Sequence, residues 1–203
     1  MIKIAPSKYR MSFGVGGLLV KESVALAQVC KPDETWPEAR ERLVAEGISS
    51  FPKLASQTRV LREVFDRITH LTDGEREFLL EDADRPEQHA LIWLAVCRTY
   101  RFVREFAVEV VAERYQSWRF DLGLEVFDRF LAEKAESDQG LAALSPSTRA
   151  KVRQVLFRIM RESGLLNDEG KIQTVWLSVR MKALVAETDP ADLLIFPGNG
   201  ERL

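Results

Sequence analysis

The sequence predicts a mostly all-α fold: a helical bundle with a winged-helix-like element and at most one small hairpin. Three observations lead there. Apolar residues recur at helical spacing along most of the chain. Serine, proline and glycine stand where helix ends require them. Only one stretch, Asn167–Gly170, reads as a hairpin turn between apolar and β-branched residues.

The first helix is expected within "GLLVKESVALAQVCK" and must end before Pro32. "TWPEARERLVAEGI" gives a second, with Thr35 as cap, Pro37 in the first turn and Gly47 at the end. "SQTRVLREVFDRITHL" gives a third, with Val60, Leu61, Val64, Phe65 and Ile68 on one face. "TDGEREFLLED" is short and acidic. "ADRPEQH", Ala83 to His89, is polar and carries a proline, which places a boundary or large loop there. The expected division is an N-terminal helical subdomain over 1–86 and a C-terminal one over 87–203.

The second part opens on the longest helical stretch, "QHALIWLAVCRTYRFVREFAVEVVAERYQ", apolar nearly all round at its start and so expected at the centre of the core. "LGLEVFDRFLAEKAE" follows as an amphipathic helix closed by "SDQG". In "LSPSTRAKVRQVLFRIMRESGLL" a helix capped by Ser145 or Ser147 runs to a stop at Gly164. "VWLSVRMKALVAE" is read as helix and "FPGNGERL" as a loose tail.

Composition bounds the function classes. The chain has 203 residues, 46% hydrophobic and 30% charged, with a formal net charge of −2, so polyanion binding must come from a local patch. Cys30 and Cys97 lie far apart in apolar stretches and read as reduced core thiols. His70 and His89 have no neighbours at zinc-like spacing, so neither a metal nor another cofactor is expected. The longest uninterrupted apolar run, "ALIWLAVC", is far below the roughly 20 residues a bilayer requires. No secretory signal is read at the N-terminus, and a cytoplasmic protein is expected. "GVGG", Gly14 to Gly17, lacks the spacing of known phosphate loops and reads as a flexible helix entry. Trp36, Trp93, Trp118 and Trp176 are read as core or interface residues. No nucleophile and base fall into a catalytic pattern, and no enzyme is expected.

Charge is distributed unevenly. Ser145–Lys182 holds eight cations against three acids, Asp121–Gly140 two against six, and Thr72–Glu87 two against seven. On the helix after Ser145, a 100° step gathers Val152, Val155, Leu156, Ile159 and Met160 on one face. Lys151, Gln154, Arg158 and Arg161 gather opposite, flanked by Arg149 and Arg153. Two readings stay open. In one, these cations with Ser147 and Thr148 meet nucleic-acid phosphates or groove edges, and Lys171 acts from the hairpin turn as a wing. In the other, they form a solvated face that pairs with acids of the same chain. Arg59, Arg62 and Arg67 form a second expected basic patch.

"YRFVREFAVEVVAERY" (Tyr100–Tyr115), "FDRFLAEKAE" (Phe127–Glu136) and the capped basic stretch, in that order, resemble the BrxA family, small accessory proteins of bacterial BREX phage-defence systems. "YRMSFGVGGLLVKES" near the N-terminus fits the same pattern. The resemblance implies a NusB-like helical bundle with helix-turn-helix-like elements and a non-enzymatic protein that binds double-stranded DNA. It also implies work beside the system's methyltransferase, ATPase and phosphatase-like component, while the hydropathy of this sequence argues against a membrane partner. A protein-docking scaffold is the alternative, and RNA binding a more distant one.

Overall fold

The computed structural model describes residues 9–14, 16–31, 34–45 and 54–199. Among these, nearly all regular structure is helical. A 3-10 turn, Ser12–Gly14, precedes α1 (Val20–Ala27), α2 (Trp36–Ala45), α3 (Leu54–Ile68) and α4 (Asp73–Glu81). Then come α5 (Arg85–Thr99) and α6 (Arg101–Glu105), which passes through a π-helical segment, Phe106–Ala112, into α7 (Glu113–Gln116). The chain continues with α8 (Leu124–Ala135), the one-turn α9 (Gln139–Ala142), α10 (Pro146–Glu162), α11 (Val179–Thr188) and a 3-10 segment, Pro190–Ile195.

Caps explain most of these ends. Thr72 and Glu75 form a reciprocal capping box on α4, and Asp84 and Glu87 do the same on α5. Pro86 therefore sits in the first turn of α5, where a missing N–H costs nothing. The proline that suggested a loop is a helix-start signal, and the break before it shortens to Asp82–Asp84. Gly47 lies outside the described residues.

The core is one continuous cluster. At its centre α5 buries Ala90 to Cys97 without interruption. It packs on α1, α3 and α4 on one side and on α10 and the last 3-10 segment elsewhere. Trp93 is fully enclosed, and its indole N–H donates to the Ile195 carbonyl at 3.2 Å. The tail expected to be loose is partly fixed: Ile195 and Phe196 are buried, and Asn199 donates its side-chain amide to the Val175 carbonyl. Residues 200–203 of that tail lie outside the described residues.

The expected long helix is broken at Tyr100, whose backbone is extended (φ −121°, ψ 98°). No proline or glycine marks the break. Tyr100 is instead held from the side: its hydroxyl donates to Glu63 of α3 at 2.5 Å, and its ring meets Phe13 edge-on. After the break, Phe102 and Phe106 both pack against Phe127 and Phe130 of α8.

The α6–α8 contact is also polar. Glu105 accepts from the Tyr9 hydroxyl at 2.5 Å and pairs with Arg101 at 2.6 Å and Lys134 at 2.9 Å. Burial alone would raise the Glu105 carboxyl. Hydrogen bonds from Tyr9, Arg101 and Lys134 outweigh it and hold the group below the ordinary carboxylate range. Burial and the same carboxylate push Tyr9 up to about 12. A carboxyl depressed in the folded state stabilises fully above its unfolded pKa, and the benefit fades as pH falls through the folded value. The stability difference between wild type and Glu105→Gln should therefore shrink between about pH 7 and about pH 3 in urea unfolding. A pH-independent difference would show that the carboxylate charge contributes nothing.

Candidate nucleic-acid interface

α10 owes its position to its apolar face. Val152, Val155, Leu156, Ile159 and Met160 are buried as the spacing predicts, and Phe157 joins them. The Ser145 side chain accepts from the Thr148 N–H at 3.2 Å and Pro146 occupies the first position. At the far end, Gly164 takes φ +78°. Its N–H donates to the Arg161 carbonyl, and that of Leu165 to the Met160 carbonyl. This paired closure needs a left-handed residue, which glycine supplies at no steric cost.

The chain then turns at once. Asp121 pairs antiparallel with Lys171, and Leu166 with Ile172. Residues 171–172 thus lie between the segment after α7 and the segment after α10, with the Asn167–Gly170 turn projecting from their end. Lys171 donates its backbone N–H to the Asn167 side chain at 2.9 Å, and Gly170 turns the chain at φ +78°. The expected hairpin is a single isolated bridge, Leu166 with Ile172, and the other bridge ties Lys171 to the segment after α7.

The expected cations have unlike surroundings. Lys151, Gln154, Arg158 and Arg161 are exposed, as are Ser147 and Thr148 at the helix start. Lys151 and Arg161 make no ion pair among the described residues. Arg158 pairs with Glu162 at 2.7 Å. Glu162 is not merely its partner. It also accepts the Leu18 N–H at 2.5 Å, against Gly17, where any Cβ would collide with its carboxylate. Gly17 therefore lets the carboxylate approach closely, and the adjacent Leu18 N–H is already taken by a protein anion.

Arg149 and Arg153 face inward along the edges of the helix. Arg149 donates to the carbonyls of Leu144 and Ala142, both at 3.0 Å, and so closes the end of α9. Arg153 pairs with Asp128 of α8. Lys171 is exposed and pairs with Glu169 at 3.1 Å. The Arg158 and Lys171 pairs are solvent-exposed and screened, so phosphates can replace their carboxylates.

The three arginines of the second expected patch do not share one surface. Arg59 and Arg62 are exposed and line a cleft of about 360 Å³ with Arg10 and Asp66. Arg67 does not join them. It is fully buried, pairs with Glu63 at 2.9 Å and donates to the carbonyls of Gly17 and Leu18. A guanidinium enclosed in this way cannot reach a surface phosphate, and its place is in the core. The expected roles of the tryptophans divide likewise. Trp93 is core and Trp36 half-buried against Phe65, but Trp118 and Trp176 are 82% and 84% exposed. Composition gave no sign of that.

Among the described residues the cysteines are shielded and the histidines engaged. Burial pushes the Cys30 thiol up to about 11 and Cys97 well above its ordinary value, away from the reactive thiolate. His70 and His89 each set a ring nitrogen against a backbone carbonyl, of Asp66 and Glu162. Among the described residues no cluster of three or more His, Cys, Asp or Glu could hold a metal ion, and no helix is long and apolar enough to cross a membrane.

These elements define a mostly helical protein that presents one basic helix between a short connecting helix and a bridged turn. Comparison with known proteins supplies the family. The BrxA family model matches residues 7–189, and the chain belongs to the BrxA family. It is similar to "BREX protein BrxA" of Escherichia coli O9:H4 (strain HS), with 23% identity over 184 residues, 88% of this chain and 84% of that protein. Its fold matches the crystal structure of an uncharacterized protein from Magnetospirillum magneticum with a TM-score of 0.78. That match covers 94% of this chain and 99% of the other at 19% identity.

Proposed function

We propose that this chain is a double-stranded-DNA-binding component of a BREX system. The observation that carries the reading is the outward face of α10, where Lys151, Gln154, Arg158 and Arg161 stand exposed above a fully buried apolar face. Phosphate contacts from such a face position a protein on a duplex, while Gln154, Ser147 and Thr148 add hydrogen-bonding groups. The order of elements supports the same reading. α7, a bridged residue, α8, α9, α10 and a bridged turn follow one another as in a winged helix, with Lys171 at the wing. Membership of the BrxA family and the name of the Escherichia coli relative support the BREX assignment. Non-enzymatic action fits the raised thiols and the engaged histidines.

The test is fluorescence anisotropy with a labelled duplex of about two helical turns, at low and physiological salt. Wild type should bind in a salt-sensitive way. Lys151→Glu/Arg161→Glu should lose most of the affinity while keeping its fold, because neither side chain has an ion pair to break. No binding by wild type at low salt, or preferential displacement by RNA, would overturn the reading.

One observation favours docking of another BREX protein as a second role. Trp176, at 84% exposure, lines a cleft with Arg85, His89 and Arg161, and Val179, three residues on, is 86% exposed. Trp176→Ala should then abolish pull-down of that partner without changing duplex affinity.

A further inference from the structure

The ends of α7 and α10 close in the same way, with different residues at the left-handed position. At α10 that residue is Gly164. At α7 it is Trp118, with φ +59°, whose N–H donates to the Tyr115 carbonyl while that of Arg119 donates to the Arg114 carbonyl. A large L-residue is strained where glycine is not. Packing does not repay the strain, because the indole is 82% exposed and its ring contact is a single edge-on approach to Phe120 at 5.9 Å. Stability alone would favour glycine here, as it does at Gly164. A strained, exposed aromatic side chain held by a well-formed cap points to a ligand.

Its surroundings indicate which ligand. Trp118 and Phe120 stand between two clefts. One, of about 250 Å³, is walled by Tyr115, Phe196 and Pro197. The other, of about 520 Å³, is lined by Arg114, Arg119 and Lys171, with Asp121. An aromatic slot beside a basic one matches a nucleotide: a base with an exposed π-face and its phosphates. Arg119 pairs with Glu113 at 2.7 Å and Lys171 with Glu169, both as exposed pairs that a phosphate can replace. Arg114 donates both its contacts to the Asp121 carbonyl, which fixes it at the rim. The π-helical segment ends at Ala112, on the wall of the aromatic slot, and π-helical turns recur at functional sites.

We infer that Trp118 is a stacking platform for an unpaired nucleobase, with Arg114, Arg119 and Lys171 on its phosphates. The inference rests on the duplex-binding reading, since Lys171 belongs to both surfaces. Within a regular duplex each base face is covered by its neighbours, so a stacking side chain must meet a base that has left the helix or lies at an end.

The test compares anisotropy titrations of the full chain with two labelled DNAs: a fully paired duplex, and the same duplex carrying one bulged nucleotide. Wild type should prefer the bulged DNA by about tenfold. Trp118→Phe should retain part of the preference. Trp118→Gly should lose it, keep the affinity for the paired duplex and melt no lower than wild type. Equal affinity of wild type for both DNAs, or a preference that survives in Trp118→Gly, overturns the stacking role and leaves the duplex reading standing. So does a Trp118→Gly protein that melts well below wild type, which would make the indole a packing residue. Absence of binding to either DNA overturns both.

Discussion

Arg98→Ala should destabilise the protein by about 3–5 kcal/mol, the loss expected when one partner of a buried charge network is removed. The Arg98 guanidinium ties three elements together. It meets Glu75 of α4 at 2.6 and 2.9 Å and Asp192 of the last 3-10 segment at 2.8 Å, and it donates to the His70 carbonyl at 3.0 Å. Glu75 is fully buried and Asp192 nearly so. Removing the arginine leaves two buried carboxylates with unequal compensation. Asp192 keeps Arg104 at 3.1 Å, whereas Glu75 keeps, among the described residues, only the Thr72 backbone N–H of its capping box. The larger part of the loss therefore comes from Glu75.

That account has an internal check. Arg98→Met/Glu75→Gln removes both charges and keeps most of the volume, so it should recover part of the loss, because an apolar or neutral replacement of a whole buried pair is far less costly than breaking one. Urea unfolding followed by circular dichroism measures both variants. A single-mutant loss below about 1 kcal/mol, or a double mutant no better than Arg98→Ala, would refute the assignment of energy to Glu75.

The helices were legible in the sequence because their signals are local. Ser145 and Pro146 mark the start of α10, Gly164 marks its end, and the 3.6-residue spacing finds its buried face. The misplaced features depend on partners distant in sequence. Tyr100 breaks the long helical run through Glu63 and Phe13, neither of which leaves a mark near Tyr100. Arg67 was misread although a signal existed. It falls three residues after Val64 and seven after Val60, on the apolar stripe of α3, with Glu63 one turn before it. A cation at a core position with an acid at i−4 is a candidate buried pair, whereas Arg59 and Arg62 lie off that stripe. Trp118 left no local signal, because a left-handed tryptophan is recognised only from its backbone. The face of α10 was legible as to which residues share it. Which of them are free was not, since Asp128 and the Ala142 and Leu144 carbonyls come from neighbouring elements.

That last distinction changes the expected salt dependence of DNA binding, the largest functional effect. All six expected cations on phosphates, Arg149, Lys151, Arg153, Arg158, Arg161 and Lys171, would give a slope of log K against log salt of about −5.4 on duplex DNA. Arg149 and Arg153 already serve α9 and α8, which leaves Lys151, Arg158, Arg161 and Lys171. Four contacts give a slope of about −3.6. Each outward cation changed to alanine should flatten the slope by about 0.9, and Lys151→Ala/Arg161→Ala should flatten it by about 1.8. Arg149→Ala should behave in the opposite sense. It uncovers two carbonyls at the end of α9, so it should lower the melting temperature while leaving the slope unchanged. Arg67→Ala should likewise unsettle the fold without flattening the slope, because its charge is enclosed. Titrations at four or more salt concentrations separate these classes. A slope that flattens for Arg149→Ala but not for Lys151→Ala would place the phosphates on the edge of α10 facing α8 and α9. The bound face of the helix would then have to be redrawn from that edge.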